Sequence, residues 1–197
     1  LALGIIKHAS KGRLLNELKL VFREERLLNI LKLYREYEIL EQLIEGFQWT
    51  PNLEEKLEKL REIVSWHRIE FADRAIEYGW LYLIILLEDV NGEHFLVGMS
   101  APGWVRELYK LYKTKANQII RKLQQANKNS EIYLVLKKLP EPFYLLIALD
   151  ERVRQKIVLY MEKLSKVKVN MSKFAGLKGK ELGMAIELEK LKLMDSI

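Results

Sequence analysis

Apolar residues recur three and four positions apart along nearly the whole chain, and few stretches alternate with period two. That spacing places side chains on one face of an α-helix and leaves no row for one face of a β-strand, so an all-α fold is expected. Leu14, Leu15, Leu18 and Phe22 form the first stripe, with Ser10 placed to cap it. Between Arg23 and Glu45 two further stripes follow, Leu27, Leu28, Leu31 and Leu33, then Ile39, Leu40, Leu43 and Ile44. A break is expected near Tyr37 and a stop at Gly46. Thr50-Pro51 reads as a fresh start, threonine capping and proline at the first helical position, ahead of Leu53, Leu57, Leu60 and Val64.

Trp80 to Leu87 is apolar on every side, which predicts a helix buried all round. Asn91-Gly92 is a turn, and Phe95 to Met99 fits a short strand or a loop. Ser100-Ala101-Pro102 opens a long helix to about Asn127, with Val105, Leu108, Tyr112, Ile119 and Leu123 inward. Ser130 is placed as the cap of the next helix, Pro140 and Pro142 as a bend, and Asp150 as the cap of a helix to about Ser165. Short helices are expected around Gly176, Gly179 and Gly183. The four tryptophans (Trp49, Trp66, Trp80, Trp104) sit beside apolar stripes and are expected in the core. Tyr109, Tyr112 and Tyr133 fit either burial or stacking on bases.

Composition narrows the chemistry. The 197 residues include no cysteine, which removes disulfides, thiolate–zinc sites and thiol nucleophiles. His8, His67 and His94 are scattered and never paired at helical spacing. No uncharged apolar run approaches the roughly 20 residues of a membrane helix, and no arginine-led signal segment stands at the start. A cytoplasmic protein with no membrane partner is the expectation, and the initial Leu1 suggests an excised or processed piece. The acidic neighbours Glu24-Glu25, Glu54-Glu55, Glu88-Asp89 and Asp150-Glu151 point about 100° apart on a helix, so none is a ready two-metal pair. Neither a nucleophile elbow nor a His-Glu-x-x-His is present, and no catalytic apparatus is evident.

Charge is divided unevenly. Residues 1–97 carry 13 Lys+Arg against 17 Asp+Glu, net −4, whereas residues 98–197 carry 20 against 10, net +10. A basic half attracts phosphate. Arg106, Lys110, Lys113, Arg121 and Lys128, with Lys122 beside them, recur at helical spacing opposite the apolar seam, and such a ridge can follow a nucleic-acid backbone. It cannot read sequence by charge alone. The plainer alternative is a solvated lysine-rich face of the kind abundant in heat-adapted proteins. A second cluster, Gly176-Leu177-Lys178-Gly179-Lys180-Glu181-Leu182-Gly183 with nearby Lys173, combines permissive glycines with cations ahead of a helix. It fits a phosphate, or else a simple corner.

The order of motifs resembles the bacterial class II tRNA nucleotidyltransferases and poly(A) polymerases. Ser10-Lys11-Gly12-Arg13-Leu14-Leu15-Asn16-Glu17-Leu18 is similar to that family's Ser-x-x-Arg-Ile-x-x-Glu-Leu signature. Leu27–Tyr34 and Glu38–Ile44 fill the places of its next two helices. Gly79 to Asp89 resembles its buried body helix, with Glu88 replacing the usual histidine, and Ser130-Glu131-Ile132-Tyr133 matches another body helix. Gly176 to Gly183 looks like its tail turn, with Lys178 and Lys180 where prolines are common. The resemblance implies an elongated array of neck, body and tail helices without the catalytic head. Residues 1–45 would be the neck and first body helices, 46–127 the body, and 128–197 the end of the body and the tail. From the residues alone, a boundary is expected near Asn127–Ser130.

What the resemblance implies for function is a tRNA-binding part of an enzyme that adds A, CC or CCA to the tRNA 3′ end. Its partners would be tRNA, held by its backbone at the acceptor and T arms, and the catalytic head of the same enzyme. The expected RNA contacts are Lys110, Lys113, Arg121, Lys122, Lys128, Lys173, Lys178 and Lys180. Ser10, Arg13 and Glu17 would be structural residues of the neck, Arg13 and Glu17 as an ion pair. No cofactor is expected on this chain, and the head would use Mg2+ with ATP or CTP. Two rivals stand beside this reading: a non-enzymatic helical adaptor, and a self-sufficient enzyme using Glu88 and Asp89.

Overall fold

A computed structural model describes residues 11–21, 24 and 27–197. Every regular element among them is helical. The expected cap at Ser10 and the expected core residue Phe22 lie outside the described residues, as do the side chains of Leu14, Leu15 and Leu28. The chain divides into two compact units, Leu1–Lys115 and Ala116–Ile197. No helix among the described residues is long and apolar enough to cross a membrane.

The first unit begins with α1 (Lys11–Val21), α2 (Leu27–Glu36) and α3 (Ile39–Leu43). Leu18, Leu27, Leu31, Leu40 and Ile44 are buried, but Leu33 is 50% exposed. Leu33 stands two residues, about 200°, from Leu31, so both cannot face the same core. The break falls at Tyr37 and Glu38, whose φ of 51° is left-handed, and Gly46 stops the segment at φ 75°. Thr50 Oγ1 accepts from the Leu53 N–H at 3.1 Å and starts α4 (Pro51–Glu70), whose Leu53, Leu57, Leu60 and Val64 are all buried. Such a cap contributes about 1 kcal/mol.

Both α4 and α1 pack on α5 (Gly79–Leu86). Every residue from Trp80 to Leu87 is buried. Each such side chain stabilises by ~1.5–3 kcal/mol relative to exposure, as an upper estimate. The stretch Phe95–Met99 is neither strand nor loop. Asn91 Oδ1 accepts from His94 N at 3.3 Å and begins α6 (Gly92–Gly98), which this stretch completes. α7 (Gly103–Gln125) then buries Val105, Leu108 and Tyr109 within this unit. The Tyr109 hydroxyl accepts from Gly92 N at 3.2 Å and faces the Leu87 and Val90 carbonyls at 3.2 and 3.4 Å, tying α7 to the turn after α5.

The second unit holds the end of α7, then α8 (Asn129–Leu136), α9 (Glu141–Ile147), α10 (Glu151–Glu162), 3-10 turns at Leu164–Lys166 and Met171–Phe174, and α11 (Gly179–Asp195). Leu123, Leu136, Phe143, Leu145, Val153, Ile157 and Leu164 form a core with no measurable exposure beyond its packing. Lys156 Nζ donates to the carbonyls of Leu123 and Ala126 at 2.7 and 2.8 Å, satisfying the carbonyl end of α7 with a cation. Asp150 Oδ1 caps α10 by accepting from Arg152 N at 3.0 Å.

Two expectations fail in this unit. Ser130 is not a cap: α8 starts one residue earlier, and Ser130 N and Oγ donate to the two oxygens of Asp195 at 2.7 and 2.8 Å. Of the short helices expected in the tail only the 3-10 turn Met171–Phe174 is found, and the rest is one 17-residue helix, α11, with Gly183 inside it. Its end is pinned by that Asp195 clamp and by Asn129 Nδ2 donating to Met194 O at 3.1 Å. A long-range clamp of this kind leaves no local pattern in the sequence.

Candidate nucleic-acid interface

The charge division sharpens when it is drawn along the two units. Residues 1–115 carry 17 Lys+Arg against 18 Asp+Glu, net −1, and residues 116–197 carry 16 against 9, net +7. The positive charge therefore belongs to the second unit.

In the first unit Arg106, Lys110 and Lys113 are exposed on α7 within a narrow arc. Lys113 is partly committed to the fold, since its Nζ donates to the Glu88 carbonyl. In the second unit Arg121 and Lys122 are both exposed, but as neighbours they point about 100° apart. Lys128 precedes α8 beside two carboxylates. Glu131 accepts from the Asn127 and Lys128 N–H groups, which holds its carboxyl below the usual range, and the Lys128 charge adds to that. The Ser130 bonds depress the Asp195 carboxyl in the same sense.

The tail cluster divides as well. Lys173 is taken by Glu189 at 2.6 Å. Lys178 stands just before α11 and Lys180 in its first turn, both exposed, and no ion pair among the described residues engages either. Gly176 and Gly179 have φ of 99° and 57°, the left-handed backbone that the glycine spacing anticipates. Arg13 and Glu17 are exposed on α1. The free cations of the second unit are thus Arg121, Lys122, Lys178 and Lys180 among those named from sequence. Lys192 of the second unit and Lys115, the last residue of the first, are exposed too, and their neighbours on α11 and α7 are the signal that could have found them.

Stacking on bases loses two of its candidates, because Tyr109 and Tyr133 are buried. Conversely Trp104, expected in the core, is 44% exposed and meets Trp80 edge-on at 6.2 Å. It is the second residue of α7, about 100° around the helix from Val105, which takes the inward face.

Within the acidic pair Glu88-Asp89, Glu88 has a structural use. Glu88 Oε2 binds Lys56 Nζ at 2.6 Å between half-buried partners, and Tyr112 Oη approaches Oε1 at 3.5 Å. Burial first, and the Glu88 charge next, push the Tyr112 hydroxyl well above its ordinary pKa. Glu88 is thereby spent on linking α4, α5 and α7. Among the described residues no group of three or more His, Asp or Glu could hold a metal ion. His67 is buried with Nδ1 2.8 Å from Tyr78 Oη, and serves packing.

No family model matches the chain. It is 49% identical over 203 aligned positions, 99% of its length, to the A-adding tRNA nucleotidyltransferase of Aquifex aeolicus. A solved tRNA-processing enzyme superposes with a TM-score of 0.88 at 49% identity, over 98% of this chain. The chain is a relative of the tRNA nucleotidyltransferases. It spans 25% of the curated relative and 51% of that solved chain, so it corresponds to a part of such proteins. A tRNA nucleotidyltransferase solved with a primer tRNA and an incoming ATP analogue matches at a TM-score of 0.74 and 49% identity, covering 86% of this chain and 50% of its own. A CCA-adding enzyme at 17% identity and a TM-score of 0.75 shares the fold.

Proposed function

We propose that this chain is the helical neck, body and tail part of a tRNA nucleotidyltransferase, and that it grips tRNA while a head elsewhere in the enzyme adds A, CC or CCA. The observation that carries the reading is the second unit, net +7, with Arg121, Lys122, Lys178 and Lys180 exposed and outside any ion pair among the described residues. Similarity to a nucleotidyltransferase solved with primer tRNA supplies the polymer. Cations of this kind neutralise phosphates and release counterions, which gives affinity and orientation without reading bases. Folded RNA is held largely through shape, phosphate and ribose. Lys110, Lys113 and Lys128 extend the contact set, and Lys173 joins it on release from Glu189. Ser10, Arg13 and Glu17 are scaffold of the neck, with residues 1–45, 46–127 and 128–197 as neck with first body helices, body, and body end with tail.

Nucleotide addition itself, with Mg2+ and ATP or CTP, belongs to the head in this reading. The described residues of this chain offer no carboxylate cluster for the metal, so no chemical step is assigned to them. The test is tRNA binding across a salt series. Binding should weaken steeply with salt, and Lys178→Ala with Lys180→Ala should lower the slope of log K against log salt by about 2. Absence of binding, or an unchanged slope, overturns the proposal.

One observation favours a second reading, that of a protein-binding adaptor. Met184 and Leu188 on α11 are 58% and 59% exposed, and only Met194 of that helix is buried. An apolar partner would bind with little dependence on salt.

A further inference from the structure

The positive charge of the second unit is not shared by its last helix. Residues 116–178 carry 13 Lys+Arg against 5 Asp+Glu, net +8, and α11, residues 179–195, carries 3 against 4, net −1. Three of those four acids reach across to neighbouring elements: Glu187 to Lys137 of α8, Glu189 to Lys173 of the preceding 3-10 turn, and Asp195 to Ser130 of α8. A carboxylate on an ammonium group occupies the place a phosphate oxygen would take.

Around Glu187 the cations outnumber the acid. Lys137 Nζ lies 5.3 Å and Lys190 Nζ 4.7 Å from the centroid of the Tyr133 ring, and Lys190 Nζ also donates to Tyr133 Oη at 3.1 Å. Tyr133 is buried and meets Tyr160 at 6.2 Å, so it is a fixed post that draws one ammonium from each of two helices. Glu187 balances Lys137, and Lys190 enters no ion pair among the described residues. Lys138, next along α8, is a further exposed cation. The pair is also open to water, with the Lys137 and Glu187 side chains 25% and 36% exposed. An ion pair this open contributes little to stability, so a stronger anion can displace the carboxylate.

We propose that Lys137 and Lys190, gathered on Tyr133, are a site for a phosphate of the RNA backbone, and that Glu187 fills it as an internal counter-ion until RNA arrives. On binding, the phosphate takes the ammonium groups and the Glu187 side chain turns to solvent. The ring has already fixed both lysines, so little side-chain freedom is lost at that moment. A lone anion must compete with a tethered carboxylate, whereas a polymer already held by Lys178 and Lys180 brings its next phosphate at high effective concentration. The choice of RNA phosphate over another anion rests on the RNA reading above.

The experiment measures tRNA binding by the full chain across a salt series, with each variant checked for helix content by circular dichroism. Glu187→Gln should bind about threefold more tightly at every salt concentration, with the slope unchanged because the same phosphate is neutralised either way. Lys137→Met and Lys190→Met should each lower the slope by about 1. In the Lys137→Met background, Glu187→Gln should bring little gain. A full gain there means that only general repulsion was removed, and it overturns the proposal. Unchanged affinity in Glu187→Gln, or unchanged slopes in the two lysine variants, overturns it as well. Lys178→Ala with Lys180→Ala is measured alongside. If that pair lowers the slope and the Lys137 and Lys190 variants do not, the Tyr133 site fails and the RNA grip stands, whereas absence of tRNA binding by the unaltered chain overturns both.

Discussion

Replacing Gly92 by alanine probes the junction between α5, α6 and α7. Gly92 is the first residue of α6, and its φ is not left-handed, so alanine should on propensity grounds be neutral or slightly stabilising. The packing reverses that expectation. A Cβ at position 92 would stand 2.6 Å from Tyr109 Cζ and Oη and 2.8 Å from Leu87 Cβ, all on a buried, tightly fixed ring and stem. Overpacking of this kind costs about 1–3 kcal/mol. Moving the Tyr109 hydroxyl also strands the Gly92 N–H and the Leu87 carbonyl, for about another 1 kcal/mol. A loss of about 2–4 kcal/mol should lower the midpoint of thermal unfolding by roughly 4–16 °C in a chain of this size. Tyr109→Phe alone should cost about 1–2 kcal/mol. With both changes the hydroxyl clash disappears, so the pair should cost at least about 1 kcal/mol less than the sum of the singles. Denaturant unfolding followed by tryptophan fluorescence and circular dichroism measures all four corners. A neutral Gly92→Ala, or strict additivity of the pair, would refute the reasoning.

Further expectations concern the caps and clamps. Thr50→Ala should destabilise by about 1 kcal/mol in denaturant unfolding, because it removes the acceptor for Leu53 N. Lys156→Met, keeping the stem and losing the ammonium, should cost about 1–3 kcal/mol and speed amide exchange at the end of α7. Asp195 is held below its ordinary pKa by Ser130, so its contribution is present above the unfolded value of about 3.9 and is lost as pH falls through the lower folded value. The protection factors of the α11 amides, intrinsic rate over observed rate at each pH, should therefore fall on acidification into that window in the native chain and change little in Asp195→Asn.

The helices were legible wherever a local rule governed them. Thr50-Pro51, Gly46, and the uninterrupted apolar stretch Trp80–Leu87 each carry their cause within a few residues. Phe95–Met99 misled because five residues are too few to separate period two from period 3.6, and the deciding feature, the Asn91 side chain on His94 N, lies upstream. Ser130 looked like a cap because serine usually is one, and its true partner is Asp195, 65 residues away. The cations were legible as residue types but not as free charges. Nothing near Lys173 in sequence announces Glu189, and nothing near Lys113 announces the Glu88 carbonyl.

The wholly enclosed α5 has a consequence for how its rotational setting is chosen. An amphipathic rod is turned correctly by the difference between its wet and dry sides, whereas this one has no wet side to lose. Only the interlocking shapes of Trp80, Leu83, Ile84 and their neighbours tell one azimuth from another. Shuffling leucine and isoleucine along it at constant volume should leave a chain that still condenses, but into several closely spaced arrangements in place of one.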